Sequence, residues 1–172
     1  MPKRVSPLPL IIAHRGASGL MPENTAWAVA AAILLGADMV EVDARLTGDG
    51  QLVIFHDRTV GRTAWFPPHS GRKRKGTKPV RVADLTLAEI RTLDAGSWYD
   101  RDFAGLRIPT VTEILTLCAG RIALNLEVKV DREATLATRK QIVAQLDRAL
   151  HVQPRMGTSN SANDEWLELF NN

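Results

Sequence analysis

Short apolar runs alternate with longer stretches of helical periodicity along most of the chain. Four runs have the length and composition of β-strands: "LPLIIAH", "DMVEVDARL", "GQLVIFHD" and "IALNLEVKV". Helical spacing is found in "NTAWAVAAAILLG", "TLAEIRTLDAG", "TVTEILTLCAG" and a long stretch from about residue 133 to residue 150. Strands that alternate with helices in this order favour parallel strands joined by helical crossovers, and therefore an α/β fold.

Polar residues at the predicted helix starts support these boundaries. Thr86 followed by Glu89 has the spacing of a capping box, and Thr110 or Thr112 is placed to cap the helix that follows. The second and third strands are separated only by "TGDG", where the glycines suit the positive φ angles of a tight turn.

Ionisable side chains share one face of two predicted strands. In "VEVDA" the apolar residues point one way, so Glu41 and Asp43 point the other. In "LNLEVKV" the apolar residues likewise leave Asn125, Glu127 and Lys129 together on the opposite face. Both strands therefore carry charge toward their carboxyl ends.

Three of these groups are carboxylates, which are costly to bury unpaired and which offer the hard oxygen ligands that Mg²⁺ or Ca²⁺ prefers. We therefore predict a divalent cation site formed by Glu41, Asp43 and Glu127. The alternative is that these acids form structural salt bridges with neighbouring cations: Lys129, Arg15 and Arg45. The carboxyl ends of the strands form the active site of a parallel α/β barrel, so their common position favours a functional site.

Two histidines also fall at predicted strand ends. His14 is followed by Arg15, and His56 is followed by Asp57. Imidazole changes protonation near neutral pH, so such a pair suits general acid and general base work, although a lone histidine on a strand is more often structural. Arg15 and Lys129 supply donors that fit a phosphate. A cation, phosphate-binding donors and an acid–base pair together favour phosphoryl transfer or phosphodiester cleavage.

The composition fits one globular domain, with 172 residues of which 45% are hydrophobic. The formal net charge of +3 depends on one basic run without an acid, which contains Arg72, Lys73, Arg74, Lys75, Lys78 and Arg81. A solvated loop is the simplest interpretation of this run, and an anionic substrate, a membrane surface and nucleic acid are the alternatives.

The single cysteine, Cys118, excludes an intrachain disulfide and lies on an apolar helical face. The N-terminal apolar run is interrupted by Pro7 and Pro9 and is too short for a signal sequence or a membrane span. We therefore expect a cytoplasmic protein.

Six ordered motifs over roughly residues 8 to 150 resemble the N-terminal part of the glycerophosphodiester phosphodiesterase family. They are "HRG" at 14–16, "PENT" at 22–25, "EVDARLTGDGQLVIFHD" at 41–57, "DLTLAEIRTLDAGSW" at 84–98, "IPTVTEIL" at 108–115 and "LNLEVK" at 124–129. The number and order of the motifs make the resemblance specific, whereas "HRG" alone would be weak.

The resemblance implies a TIM-type (β/α) barrel enzyme that hydrolyses glycerophosphodiesters to an alcohol and sn-glycerol 3-phosphate. The residues that it implies are an acid–base pair (His14 and His56), three metal ligands (Glu41, Asp43 and Glu127) and two phosphate contacts (Arg15 and Lys129). Glu23 in "PENT" is a second-rank candidate beside the metal or the glycerol, although the helix dipole also favours an acid there. We expect a small-molecule substrate, a Mg²⁺ or Ca²⁺ cofactor, no nucleic acid partner and no stable membrane insertion.

The chain is short for the implied barrel, which typically needs about 250 residues. Residues 8–150 account for about half of the strands, and residues 151–172 have the composition of an irregular tail. The loss of periodicity there favours a truncated gene, and the alternatives are a domain cut from a longer protein and a half-barrel completed by a second copy. Exposed edge strands make self-association an expectation.

Two functions from different classes stay open at this point. One is a metal-dependent glycerophosphodiesterase, and the other is a non-catalytic remnant or interaction module that retains the metal-binding and phosphate-binding face. A phospholipase D acting on sphingolipids shares the "HRG" start and ranks third, because no residues indicate a site for a lipid tail.

Overall fold

The computed structural model describes residues 9–66 and 79–151. The part of the basic run between Arg72 and Lys78 and the predicted irregular tail beyond residue 151 lie outside these ranges. All of the candidate site residues lie inside them.

A central strand, β2, organises the sheet. The strands are β1 (Ile12–His14), β2 (Met39–Leu46), β3 (Leu52–Ile54) and β4 (Ala123–Val128). β1 and β4 pair with β2 in parallel, as the order of elements predicts, and β4 does so along most of the length of β2. β1 pairs with the first half of β2, and β3 pairs with the second half.

β3 is the exception to the predicted parallel order, because it runs antiparallel to β2. A parallel crossover needs a dozen or more residues, so the short "TGDG" link allows only a hairpin. The hairpin returns the chain along β2, and the Phe55 N–H donates to the Asp43 carbonyl oxygen at 2.8 Å. His56 therefore comes back to the level of Asp43 after β3 has ended, rather than standing at the carboxyl end of a parallel strand.

Four α-helices are described: α1 (Ala26–Leu34), α2 (Leu87–Ile90), α3 (Val111–Cys118) and α4 (Leu136–His151). The predicted capping box of Thr86 and Glu89 is confirmed at the start of α2. Thr110, rather than Thr112, caps α3, where it forms a second capping box with Glu113. Both boxes satisfy backbone N–H groups that have no partner within the helix.

The apolar face of the sheet packs against α1, α3 and α4. Strand residues on this face are buried or half-buried: Val40, Val42 and Ala44 from β2, and Leu124, Leu126 and Val128 from β4. They meet Val29 of α1, Ile114 of α3 and Ile142 of α4 in one hydrophobic cluster. Because side chains alternate along a strand, this burial turns Glu41, Asp43 and Glu127 toward the other face.

The sheet is not closed into a barrel. In residues 9–66 and 79–151, β1 and β4 each pair with β2 alone. Large apolar side chains are exposed at two places: Leu10, Ile11 and Ile12 at or just before β1, and Leu136, Val143 and Leu150 on α4. No helix within the same ranges has both the length and the apolarity needed to cross a membrane.

Candidate active site

The three carboxylates come together through strand register. Asp43 on β2 is paired with Glu127 on β4, and Glu41 precedes Asp43 by two residues on the same face. One carboxylate oxygen from each residue lies within 4.8 Å of the other two. Oxygens bound to one Mg²⁺ or Ca²⁺ lie within about 5 Å of one another. Glu41, Asp43 and Glu127 therefore have the spacing and the donor type that such a cation requires.

Lys129 and Arg15 place positive charge beside these carboxylates. Lys129 Nζ lies 3.2 Å from Asp43 Oδ1 and 2.5 Å from Glu127 Oε1. Burial opposes the charged form of Lys129, but its hydrogen bonds to Glu127 and Asp43 outweigh this and raise its pKa. Arg15 Nε lies 3.4 Å from Asp43 Oδ2, yet it is buried without a hydrogen-bond acceptor among the described residues. Both cations therefore lie against the carboxylate group, within ion-pair distance of Asp43.

The "HRG" turn is shaped to present Arg15. Arg15 and Gly16 both have positive φ angles, of 59° and 80°. A Cβ at Gly16 would lie 2.6 Å from the backbone of Ala28, so only glycine allows the turn to approach α1 this closely. The Arg15 backbone N–H donates to Glu41 Oε2 at 3.0 Å. The turn therefore positions one of the carboxylates as well as the guanidinium.

Asn24 is a site residue that the sequence reasoning missed. Its side-chain amide donates to Asp43 Oδ2 at 2.9 Å, and its side-chain oxygen accepts from the Asp43 backbone N–H at 3.1 Å. Asn24 is buried and has a φ angle of 58°. The signal in the sequence is the "PENT" motif, in which Glu23 is the candidate site residue and Asn24 or Thr25 the candidate helix cap; the structure gives the cap to Thr25.

The two histidines occupy different environments. His14 Nε2 lies 3.8 Å from Glu41 Oε2, and the side chain of His14 is 69% exposed. His56 is less exposed, and its Nδ1 lies 2.7 Å from Asp57 Oδ1. Since an ionised carboxylate can only accept, Nδ1 of His56 carries a proton. In the neutral imidazole, Nε2 of His56 is then the basic nitrogen.

Arg45 supports His56 rather than the carboxylate group. Arg45 Nε donates to the His56 carbonyl oxygen at 2.8 Å, and its Nη1 donates to Asp131 Oδ1 at 3.1 Å. The salt-bridge alternative named Lys129, Arg15 and Arg45 as partners of the three acids. The first two do contact Asp43, and Arg45 is paired with Asp131 instead.

Glu23 lies between two arginines. Its Oε1 accepts from Arg15 Nη1 at 2.9 Å and from Arg62 Nη2 at 2.7 Å. Burial raises the pKa of Glu23, but hydrogen bonds and charges from Arg62 and Arg15 outweigh it, so the pKa lies below its usual value. Arg62 was not singled out from the sequence, where nothing distinguishes it from the other arginines.

Asp57 is the second carboxylate that contacts Arg62. Arg62 Nε donates to Asp57 Oδ2 at 2.6 Å. The hydrogen bond from Arg62 lowers the pKa of Asp57, burial opposes this, and the hydrogen bond with His56 adds to the lowering. Asp57 is therefore ionised at neutral pH.

Cys118 takes no part in this chemistry. The residue is buried in the helix-facing core, as its position on an apolar helical face predicts. Burial raises the pKa of its thiol to about 11. A thiol of this kind is not a nucleophile at neutral pH.

Comparison with known proteins gives a consistent result. The family model of the glycerophosphoryl diester phosphodiesterase family matches residues 14–167. A glycerophosphodiester phosphodiesterase of Caldanaerobacter subterraneus is 45% identical over 121 residues, which are 70% of this chain and 45% of that protein. The chain therefore spans about half the length of the curated relatives it matches.

Solved structures agree with the family match. An Oleispira antarctica phosphodiesterase, solved in complex with the product sn-glycerol-3-phosphate, aligns with a TM-score of 0.69 and 34% identity, covering 86% of this chain and 54% of that one. A glycerophosphodiester phosphodiesterase from Agrobacterium tumefaciens aligns with a TM-score of 0.65 and 32% identity, covering 83% and 54%. The open sheet thus corresponds to part of a TIM-type barrel, and the chain belongs to the glycerophosphoryl diester phosphodiesterase family.

Proposed function

We propose that this protein is a metal-dependent phosphodiesterase that cleaves glycerophosphodiesters to an alcohol and sn-glycerol 3-phosphate. The observation that carries the proposal is the group of Glu41, Asp43 and Glu127, with Lys129 and Arg15 beside it. The sn-glycerol-3-phosphate bound by the Oleispira antarctica relative supports the same substrate class.

Glu41, Asp43 and Glu127 hold a divalent cation, Mg²⁺ or Ca²⁺, in this proposal. When bound, such a cation neutralises charge on the phosphate and holds a hydroxyl group for attack. Arg15 and Lys129 contact the phosphate, since a guanidinium offers two parallel donors and an ammonium offers a point charge. Asn24 keeps Asp43 in place through its two hydrogen bonds.

His14 and His56 perform the proton transfers. One histidine takes the proton from the glycerol 2-hydroxyl group, whose oxygen attacks phosphorus. The bond between phosphorus and the alcohol oxygen breaks, and the other histidine gives its proton to that oxygen. The product of this step is a cyclic phosphate, in which the 2-hydroxyl oxygen is bonded to phosphorus, and water then opens it to sn-glycerol 3-phosphate. The hydrogen bond between Asp57 and His56 Nδ1 leaves Nε2 as the atom that exchanges the proton.

The decisive experiment measures release of glycerol 3-phosphate from glycerophosphocholine by the purified 172-residue chain, with added Mg²⁺ or Ca²⁺ and with EDTA. The Asp43→Asn variant, purified in the same way, is the control, because any release that it shows comes from contaminating enzymes. Release that requires the cation and is absent from the Asp43→Asn preparation is the expected result. A folded chain that binds the cation and releases nothing would contradict the proposal for this chain.

The second candidate function is a binding module that retains the metal and phosphate contacts without turnover. The open sheet supports it, because β1 and β4 pair only with β2 among the described residues. Cation binding by isothermal titration calorimetry together with no release of product would favour this candidate.

A further inference from the structure

Arg62 joins two carboxylates that come from distant parts of the chain. Its Nη1 and Nη2 donate to Glu23 Oε2 and Oε1, at 3.2 and 2.7 Å. Its Nε and Nη2 donate to Asp57 Oδ2 and Oδ1, at 2.6 and 3.0 Å. One guanidinium therefore holds both oxygens of both carboxylates.

Each carboxylate also contacts a residue of a histidine-bearing segment. Glu23 accepts from Nη1 of Arg15, the residue that follows His14. Asp57 is hydrogen bonded to Nδ1 of His56. The contacts form one continuous chain of alternating charge from Arg15 through Glu23, Arg62 and Asp57 to the His56 ring.

This chain differs from an ordinary surface ion pair. Isolated exposed pairs contribute little, because water and salt screen the two charges and two mobile side chains lose entropy when they pair. Here Glu23 is largely buried and lies between two arginines, and the segment around Arg62 belongs to no helix or strand. The lowered pKa values of Glu23 and Asp57 keep both carboxylates ionised at neutral pH. The Arg62 contacts therefore tie this loop to the "PENT" segment.

We propose that Arg62 is a positioning residue, which holds the His14 and His56 segments in fixed relation through Glu23 and Asp57. The proposal rests on the proposed acid–base function of the two histidines. Arg62 acts by pinning the Asp57 carboxylate against His56 Nδ1, and so fixes the tautomer in which Nε2 is the basic nitrogen. The planar guanidinium suits this task, whereas a lysine ammonium is a single point charge without the bidentate geometry.

The first test is spectroscopic and needs no activity. The tautomer of His56 is measured by ¹⁵N NMR of the imidazole nitrogens in the full chain, at alkaline pH where imidazoles are neutral. The Nδ1–H tautomer is expected in the wild type, and a shift of the proton toward Nε2 is expected in Arg62→Ala. The Arg62→Gln variant, which keeps side-chain bulk but not the bidentate fork, is expected to show the same shift.

Arg81→Ala is the matched control. Arg81 is 45% exposed, compared with 46% for Arg62, and it also holds both oxygens of one carboxylate, that of Asp84. It makes no contact with the Glu23 and Asp57 pair in the described residues. Its removal is expected to leave the His56 tautomer unchanged, so a general effect of losing an exposed arginine is separated from the effect of losing Arg62.

The second test is kinetic and applies when the wild type releases glycerol 3-phosphate. Arg62→Ala is expected to lower kcat by about tenfold to a hundredfold, the loss that displaced catalytic groups cause, with a smaller change in KM. Arg62→Lys is expected to recover part of kcat, because it restores the charge but not both bidentate contacts.

The NMR measurement can succeed or fail independently of turnover, so failure of the positioning role of Arg62 is distinguishable from failure of the proposed catalytic function. A tautomer shift in Arg62→Ala and Arg62→Gln supports the positioning role even when the wild type shows no turnover. An unchanged His56 tautomer in Arg62→Gln, in a chain whose circular dichroism matches the wild type, would overturn it. The proposal would equally fail if kcat of Arg62→Gln equalled that of a wild type with turnover.

Discussion

Asp43 on β2 and Glu127 on β4 are direct register partners across two parallel strands, and Lys129 Nζ contacts a carboxylate oxygen of each. Glu41 completes the group from two positions earlier on β2. The candidate metal site is therefore built on the most extensive strand pairing of the sheet rather than on loops, which gives its ligands fixed backbone positions.

Removal of one carboxylate is expected to weaken cation binding. Asp43→Asn replaces a charged oxygen ligand with a neutral amide, and we expect the affinity for Mg²⁺ or Ca²⁺ to fall by more than about tenfold. Isothermal titration calorimetry measures this directly. Glu113→Gln is the control, because Glu113 is a carboxylate at the start of α3 that serves a capping box. Equal affinities for Asp43→Asn and wild type would show that the cation binds elsewhere.

Loss of either histidine is expected to abolish turnover and to spare the metal site. His14→Ala and His56→Ala each remove one proton-transfer group. General acid–base catalysis contributes about a hundredfold to ten-thousandfold to the rate, so kcat is expected to fall by a factor of this size. Release of glycerol 3-phosphate and calorimetric cation binding are measured on the same preparations. His151→Ala, at the exposed end of α4, is expected to behave as the wild type. Full activity in His14→Ala or in His56→Ala would show that the replaced histidine is not needed for the reaction.

The ion-paired carboxylates are expected to make stability depend on pH. The pKa values of Glu23 and Asp57 lie below their ordinary values of 4.5 and 3.8. A lowered carboxyl pKa stabilises the folded state above the ordinary value, and this contribution is lost as the pH falls through the lowered pKa. We therefore expect Glu23→Gln and Asp57→Asn to reduce the free energy of unfolding at neutral pH.

The pH dependence itself is the check on that expectation. The free energy of unfolding is measured in urea at about pH 7 and at about pH 3. The loss of this free energy in each variant, relative to the wild type, should be smaller at the lower pH. A difference that grows in acid would contradict the assigned direction of the pKa shifts.

The cap of α3 gives a stability test with a built-in control. Thr110 accepts the Glu113 backbone N–H, and Thr112 lies inside the helix. Thr110→Ala is expected to lower the free energy of unfolding by about 1 kcal/mol. Thr112→Ala replaces a β-branched residue with a better helix former and is expected to cost less. Chemical denaturation measures the free energy of unfolding of both variants. A larger loss of this free energy in Thr112→Ala than in Thr110→Ala would contradict the observed cap.

Local patterns in the sequence were enough to predict most of the helices and strands and some of the candidate site residues. Alternation along β2 separates Glu41 and Asp43 from the buried valines, and this follows from strand geometry alone. The capping box of Thr86 and Glu89 is likewise a local interaction, which is why the sequence predicts it correctly. The family resemblance rests on ordered motifs in the same way and is confirmed by the family match.

Features that join distant segments required the tertiary structure. Glu127 meets Asp43 through the pairing of β4 with β2, and Arg62 reaches Glu23 from 39 positions away. No local pattern marks Arg62, because its contacts join two loops that are distant in the sequence. The sequence by itself determined the elements and which side chains share a strand face, since periodicity acts over a few residues. Tertiary structure decided which of those side chains touch, since strand register and loop placement depend on packing between distant segments.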